Sequence, residues 1–137
     1  MDCLFCKIIK KEISAEIIYE DEKTLAVLDI NPRSLGHTVI IPKIHSQTIL
    51  DLSEKEIGPL FGAVKKVVEL IQKSLGPEGF TIGINHGRIS GQVIDHLHIH
   101  IMPRFKNDGG GSVHSVVNNP PKQNLIDIKS QILNPKP

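Results

Sequence analysis

The chain has 137 residues, 39% hydrophobic and 23% charged, which suits one domain around one core and excludes a multidomain machine, wholesale disorder or a fibrous repeat. Sixteen Lys and Arg stand against fifteen Asp and Glu, a formal net charge of +1. With no long run of either sign, nucleic acid is not an expected partner, although a local cluster can still hold a small anion.

The opening residues Met1-Asp2-Cys3-Leu4-Phe5-Cys6-Lys7 lack a basic stretch followed by a long apolar one, and no window approaches 18 apolar residues. A soluble, cytoplasmic protein without a membrane partner is expected. Residues 3–13 read as a short helix or turn, with Phe5, Ile8 and Ile9 at helical spacing. Two β-rich runs follow, Glu16 to Glu20 and Thr24 to Asp29, and Asp21-Glu22-Lys23 between them suits a hairpin. Asn31-Pro32 is a turn signal, and His37 to Ile41, ended by Pro42, predicts a third strand.

From Ser53 to Leu75, Ile57, Leu60, Phe61, Val64, Val67, Val68, Ile71 and Leu75 recur at three and four residues, which predicts a long amphipathic helix. Ser53 with Glu56 suits a capping box and Gly76-Pro77 a stop, while Pro59 predicts a kink or a restart. Two more strands are expected, Phe80 to Asn85 and Leu97 to Met102, joined by the loop His86 to Gly91 and bounded by Pro103. Past Arg104 the chain becomes Gly- and Pro-rich, and Asn124 to Leu133 predicts a short amphipathic helix with Leu125, Ile128 and Ile132 inward. The expected fold class is α+β with a largely antiparallel sheet. Residues 1–104 would form the catalytic domain, and 105–137 a tail packing on it or on a partner subunit.

The only two cysteines, Cys3 and Cys6, are two residues apart. That spacing favours half of a metal site, to be completed by two histidines, or a redox pair, over a structural disulfide. Seven histidines are present, three of them in His96-Leu97-His98-Ile99-His100-Ile101-Met102. On a strand the three imidazoles share one face, and Leu97, Ile99 and Ile101 share the other. Such a row can attack phosphorus or bind metal. Asn85 and Gln92 lie close by in sequence, while Asp29 and Asp95 are the only obvious carboxylates. Amides without a carboxylate cluster suit a phosphate better than a hydrolytic two-metal site. Plain structural readings stand beside these: Asn85 as a loop cap, Asp29 as a strand terminus, Gly91-Gln92 as a tight turn, and His37 as a half-buried strand residue.

Asn85, Gly91-Gln92 and the alternating histidines, preceded by Asp29-Ile30-Asn31-Pro32, Gly36-His37 and Ile41-Pro42-Lys43-x-His45, resemble the histidine triad (HIT) nucleotide-binding hydrolases over residues 3–104. Cys3-x-x-Cys6, Gln92-Val93 and Gly109-Gly110-Gly111-Ser112-Val113-His114 look most like the prokaryotic branch. The resemblance implies a five-stranded antiparallel sheet with one long helix and a short N-terminal helix, paired into a homodimer. It implies an enzyme that splits the bond to a nucleotide's α-phosphate through a covalent nucleotidyl-histidine on His98, releasing a nucleoside monophosphate.

In that scheme His100, His37 and Gln92 contact phosphate oxygens and Asn85 lies near the leaving side. Asp29 takes the ribose hydroxyls, and Ile30 lines a pocket that favours purines with little discrimination. The same branch implies a structural zinc on Cys3, Cys6, His45 and His96. Val93 departs from the broader family, which carries a hydroxyl residue there, and this leaves dinucleoside polyphosphates and nucleoside phosphoramidates both open as substrates. Other readings are a nucleotide-binding or sensing module with slow turnover, a nucleotidyltransferase using the same intermediate, and a metallohydrolase with its ion on His96, His98 and His100.

Overall fold

The computed structural model describes residues 2–137. A helix α1 (Leu4–Ile9) precedes strands β1 (Ile17–Glu20), β2 (Thr24–Leu28) and β3 (Thr38–Pro42). Helix α2 (Glu54–Leu75), strands β4 (Gly79–Gly83) and β5 (Ile99–Arg104) and a last helix α3 (Leu125–Leu133) follow. The five strands form one sheet in the order β1-β2-β3-β5-β4, and every pairing is antiparallel. The expected α+β class and sheet are therefore present.

The expected hairpin closes because the Asp21 carboxylate accepts from the backbone N–H groups of Lys23 and Thr24 at 2.9 and 2.8 Å. Side-chain alternation then divides the sheet. Ala26, Ile40, Ile99 and Ile101 pack with Leu97 against Leu60, Ala63, Val64, Val67 and Ile71 of α2. Leu25, Val27, Val39 and Ile41 take the other face and pack with Phe5 and Ile8 of α1. His100 of β5 projects to this second face, as do His96 and His98 just before the strand, which meet Phe5 of α1.

Helix α2 continues through Pro59, so it does not restart there. Gly58 and Pro59 both lie on its exposed side, so the missing donor costs one hydrogen bond and disturbs no packing. Ser53 caps the helix by backbone conformation alone, with no side-chain hydrogen bond, so the capping box does not form. Gly76 ends it in the left-handed region, as expected. Phe61 and Leu75, expected inward, are largely exposed because they flank the buried stripe instead of lying on it.

Strand β4 ends two residues before Asn85, and β5 begins at Ile99, after His96 and His98. Pro103 was expected to bound β5 but lies inside it, paired with Phe80. The carbonyl of Arg104 accepts from Glu78 N–H on the β4 side. Pro103 therefore turns its nitrogen to the opposite side, beyond the last β3 pairing of Thr38 with Ile101, where no ladder needs a donor. Helix α3 forms where expected, yet none of its residues is buried. Leu125 is 81% exposed and Ile132 70%, so its apolar face finds nothing to cover it within this chain.

Candidate active site and metal centre

Four donor side chains converge where the start of α1 meets the sheet. Cys3 Sγ lies 3.5 Å and Cys6 Sγ 3.6 Å from His96 Nδ1. His45 Nδ1 is 3.3 Å from Cys6 Sγ and 3.1 Å from His96 Nδ1. His96 Nε2 is 2.8 Å from the carbonyl of Pro42. A carbonyl only accepts, so Nε2 carries the proton and Nδ1 turns its lone pair into the cluster.

Nitrogen and sulfur ligands at about 2.0–2.3 Å around one tetrahedral ion stand roughly 3.3–3.8 Å apart, close to the separations observed. Burial, followed by the contact with Cys3, pushes the Cys6 thiol up, so without a cation the thiol form is favoured. Burial also lowers the pKa of His96 and keeps its ring neutral, as a ligand must be. The four residues thus suit a soft or borderline divalent cation. They leave a metal held by all three row histidines without support: His96 directs its lone pair to the cysteines, away from any ion shared with His98 and His100.

The next histidine is oriented differently. His98 Nδ1 lies 2.8 Å from the carbonyl of His96 and donates to it, which leaves the lone pair on Nε2. Among the described residues, Ser34 Oγ is the one buried side-chain polar atom without a partner. His98 Nε2, which has no protein partner, therefore keeps access to solvent although the residue as a whole is only 8% exposed.

A proton chain runs beside it. The backbone N–H of Arg33 donates to His37 Nδ1 at 3.1 Å, so the neutral ring of His37 carries its proton on Nε2 and donates to His100 Nδ1 at 3.0 Å. His100 then presents Nε2–H as a donor. Burial first, and then the neighbouring His98 and His37, pull the His100 pKa down to about 4; burial lowers that of His37 too. Asp29 Oδ2 stands 3.5 Å from His37 Nε2 and 4.0 Å from His100 Nδ1. This trio also lies within metal-ligand reach, but the proton on His37 Nε2 points into it, so it is a hydrogen-bonded chain and not a set of converging lone pairs.

His37, His100 and Asn85 help to line a cavity of about 760 Å³, whose walls also include residues of β4 and β5, the charged side chains of Arg33, Arg104 and Asp108, and the tail residues Val113, Val116 and Val117. Gly91 has φ +105° and lies under the Asn85 amide, 3.6 Å from where a Cβ would stand, which holds the 86–91 loop against Asn85. Gln92 is buried, and its amide is spent on backbone: Nε2 donates to the carbonyls of Gln47 and Ile94, and Oε1 accepts from Gly87 N–H. In this arrangement Gln92 anchors the loop. Ile30, expected to line a base pocket, is 87% exposed and no pocket closes around it. Sequence reasoning missed the Arg33 N–H and Phe5. The first carries no residue-type signal, and the second reads as an ordinary core position.

The HIT domain family model matches residues 10–107. The chain belongs to the HIT family. An uncharacterized HIT-like protein of Methanocaldococcus jannaschii is 48% identical over 78% of this chain and 82% of its own length. An adenosine 5'-monophosphoramidase of Schizosaccharomyces pombe is 40% identical over 80% of each chain. Among solved structures, a HIT family member from Bacillus subtilis superposes with a TM-score of 0.87, at 34% identity, over 100% of this chain and 99% of that one. A zinc-bound histidine triad family protein from Mycobacterium smegmatis gives a TM-score of 0.75, at 34% identity, over 79% and 78%. Among the described residues of this HIT protein, no helix is long and apolar enough to cross a membrane.

Proposed function

We propose that this HIT protein is a hydrolase that cleaves the bond to the α-phosphate of a nucleotide by way of a covalent nucleotidyl-histidine on His98. The observation that carries this is the fixed tautomer of His98: its Nδ1–H is bound to the His96 carbonyl, and its Nε2 lone pair has no protein partner and keeps access to solvent. Attack by Nε2 forms a P–N bond as the bond to the leaving group breaks, and the leaving group departs with the electron pair and takes up a proton. The imidazolium that results keeps Nδ1–H on the carbonyl, which stabilises its charge. Water then attacks phosphorus, the P–N bond breaks, and a nucleoside monophosphate and a proton are released. His100, neutral and donating from Nε2, suits a phosphate oxygen, and His37 sets its orientation.

Asn85, which lines the cavity, would lie on the leaving side, Asp29 would take the ribose hydroxyls, and Ile30 would meet a purine base once substrate covers it. Gln92 reaches a phosphate only by giving up one of its backbone partners. The phosphoramidase relative supports a nucleoside phosphoramidate as substrate, and Val93, lacking a hydroxyl, keeps dinucleoside polyphosphates in view. Cys3, Cys6, His45 and His96 would hold one zinc, as the zinc-bound relative suggests. With four protein ligands such an ion supplies structural cross-linking and leaves no position for substrate. A reducing, cytoplasmic setting suits its thiols. The working unit is a homodimer formed through α2 and the β4 edge, with residues 105–137 serving as an arm.

Turnover of adenosine phosphoramidate and of a diadenosine polyphosphate by wild type and His98→Ala tests the reading. The variant should lose on the order of a thousandfold or more in kcat while still binding AMP, and acid-quenched wild type should carry a nucleotidyl group on His98. Near-native activity in the variant refutes the covalent role. Saturable binding without turnover in wild type makes the protein a sensing module.

A further inference from the structure

We infer that Phe5 is a positioning residue for His98, and that the cluster of Cys3, Cys6, His45 and His96 acts on the reaction through it; this rests on the covalent role of His98 proposed above. The hydrogen bond that sets the His98 tautomer runs to a carbonyl only two residues away. A half-turn of the ring about its last side-chain bond would put Cδ2–H at that carbonyl in place of Nδ1–H and carry Nε2 to where Cε1 stood, which frees the tautomer and withdraws the attacking lone pair. Two rings resist this turn. His100 meets His98 at 5.0 Å between centroids and 68° between planes, and Phe5 meets it at 5.0 Å and 71°. Both geometries are edge-to-face, the arrangement in which the positive rim of one ring is drawn to the face of another.

Phe5 also meets His96 edge-on, at 5.9 Å and 88°. One buried ring from the second helical residue of α1 therefore touches both a metal-cluster histidine and the nucleophile. Helix α1 has six residues, too few to persist on their own. Cys3 caps the helix and accepts from Cys6 N–H, and both thiols sit in the four-donor cluster. What holds the cluster together holds α1, and what holds α1 presses Phe5 against His98. Phe5 as plain core filler for Val27, Val39 and Ile41 would need only apolar volume, which leucine or methionine also supplies.

That difference defines the experiment. Phe5→Leu and Phe5→Met are prepared in the metal-loaded protein as purified, with metal content and cooperative melting checked, and the histidine ring nitrogens are followed by long-range proton–nitrogen NMR. In wild type, His98 should show one tautomer, protonated at Nδ1. In the variants its two nitrogen shifts should move toward each other as both tautomers are visited once the ring leaves the carbonyl that fixes one, and kcat should fall about tenfold with KM changed less than twofold. Cys6→Ser should produce the same nitrogen signature, and its loss in kcat should overlap with that of Phe5→Leu in the double variant, not multiply with it. A folded, metal-loaded Phe5 variant with an unmoved His98 spectrum, or with wild-type kcat, overturns the inference, as does full multiplicativity with Cys6→Ser. If the wild type turns over no nucleotide, the covalent mechanism fails, and the nitrogen spectra still decide whether Phe5 holds His98.

Discussion

At the scale of single residues, this site is governed by where protons sit. Three backbone groups, the carbonyls of Pro42 and His96 and the N–H of Arg33, select the tautomers of His96, His98 and His37. Each leaves a lone pair or a proton where the next partner uses it. The same burial has a cost in acid. The folded pKa of His100 is held at about 4 against an ordinary 6.5, so the unfolded chain binds the proton more readily. The resulting stabilisation is complete above about pH 6.5 and is lost as the pH falls toward 4, amounting to roughly 3 kcal/mol at most. Melting temperature measured from pH 7.5 to 4 should therefore drop through this window, and His100→Gln should flatten part of the fall. A wild-type profile that is level between pH 6.5 and 4 would show that His100 titrates normally.

At the scale of elements, the strands and the long helix were legible wherever apolar residues kept a regular period against a water-facing side. Leu97, Ile99 and Ile101 reveal which way the histidines face, and Leu60, Val64, Val67 and Ile71 reveal the buried stripe of α2. What could not be read was set by distant partners: Pro103 fits inside β5 only because β3 begins no earlier than Thr38, and Phe5 gains its place only when the sheet delivers His98. The expected zinc ligands converge, yet their lone pairs became readable only with the Pro42 carbonyl in place. Pro59 leaves the carbonyl of Lys55 without a helical donor on an exposed face. Pro59→Ala should raise the melting temperature by a few degrees, about 1–3 kcal/mol; an unchanged or lower value would mean that the stiffness proline lends the unfolded chain outweighs the lost bond. Helix α1 depends on its cluster. Purified protein should contain about one zinc per chain, and Cys3→Ser with Cys6→Ser should remove it and lower the melting temperature by several degrees or more. Metal analysis that finds none, in protein prepared without chelator, refutes the site.

At the scale of the whole molecule, several large apolar side chains are left uncovered. Helix α3 exposes Leu125 and Ile132, and α2 exposes Phe61 and Leu70; such residues mark a contact surface when they gather into a patch. The free edge of β4 adds unpaired backbone groups. A second copy related by a twofold axis covers such surfaces with their own kind. Sedimentation at micromolar concentration should show twice the 15.1 kDa mass of the chain, and Leu125→Asp with Ile132→Asp should weaken the association. A wild-type monomer under these conditions would refute the dimer.

The contact between Cys3 and His96 spans 93 positions of sequence. A chain emerging from the ribosome presents Cys3 and Cys6 about 90 residues ahead of the histidine that completes their cluster. Until then the thiols are held by nothing native and are open to stray metals and oxidants. Long-range closures of this kind come late in folding because their loop entropy must be met before any contact repays it. On the proposed mechanism His98 therefore becomes ordered at about the moment these two distant segments first meet, and a partly folded chain would not act on nucleotide.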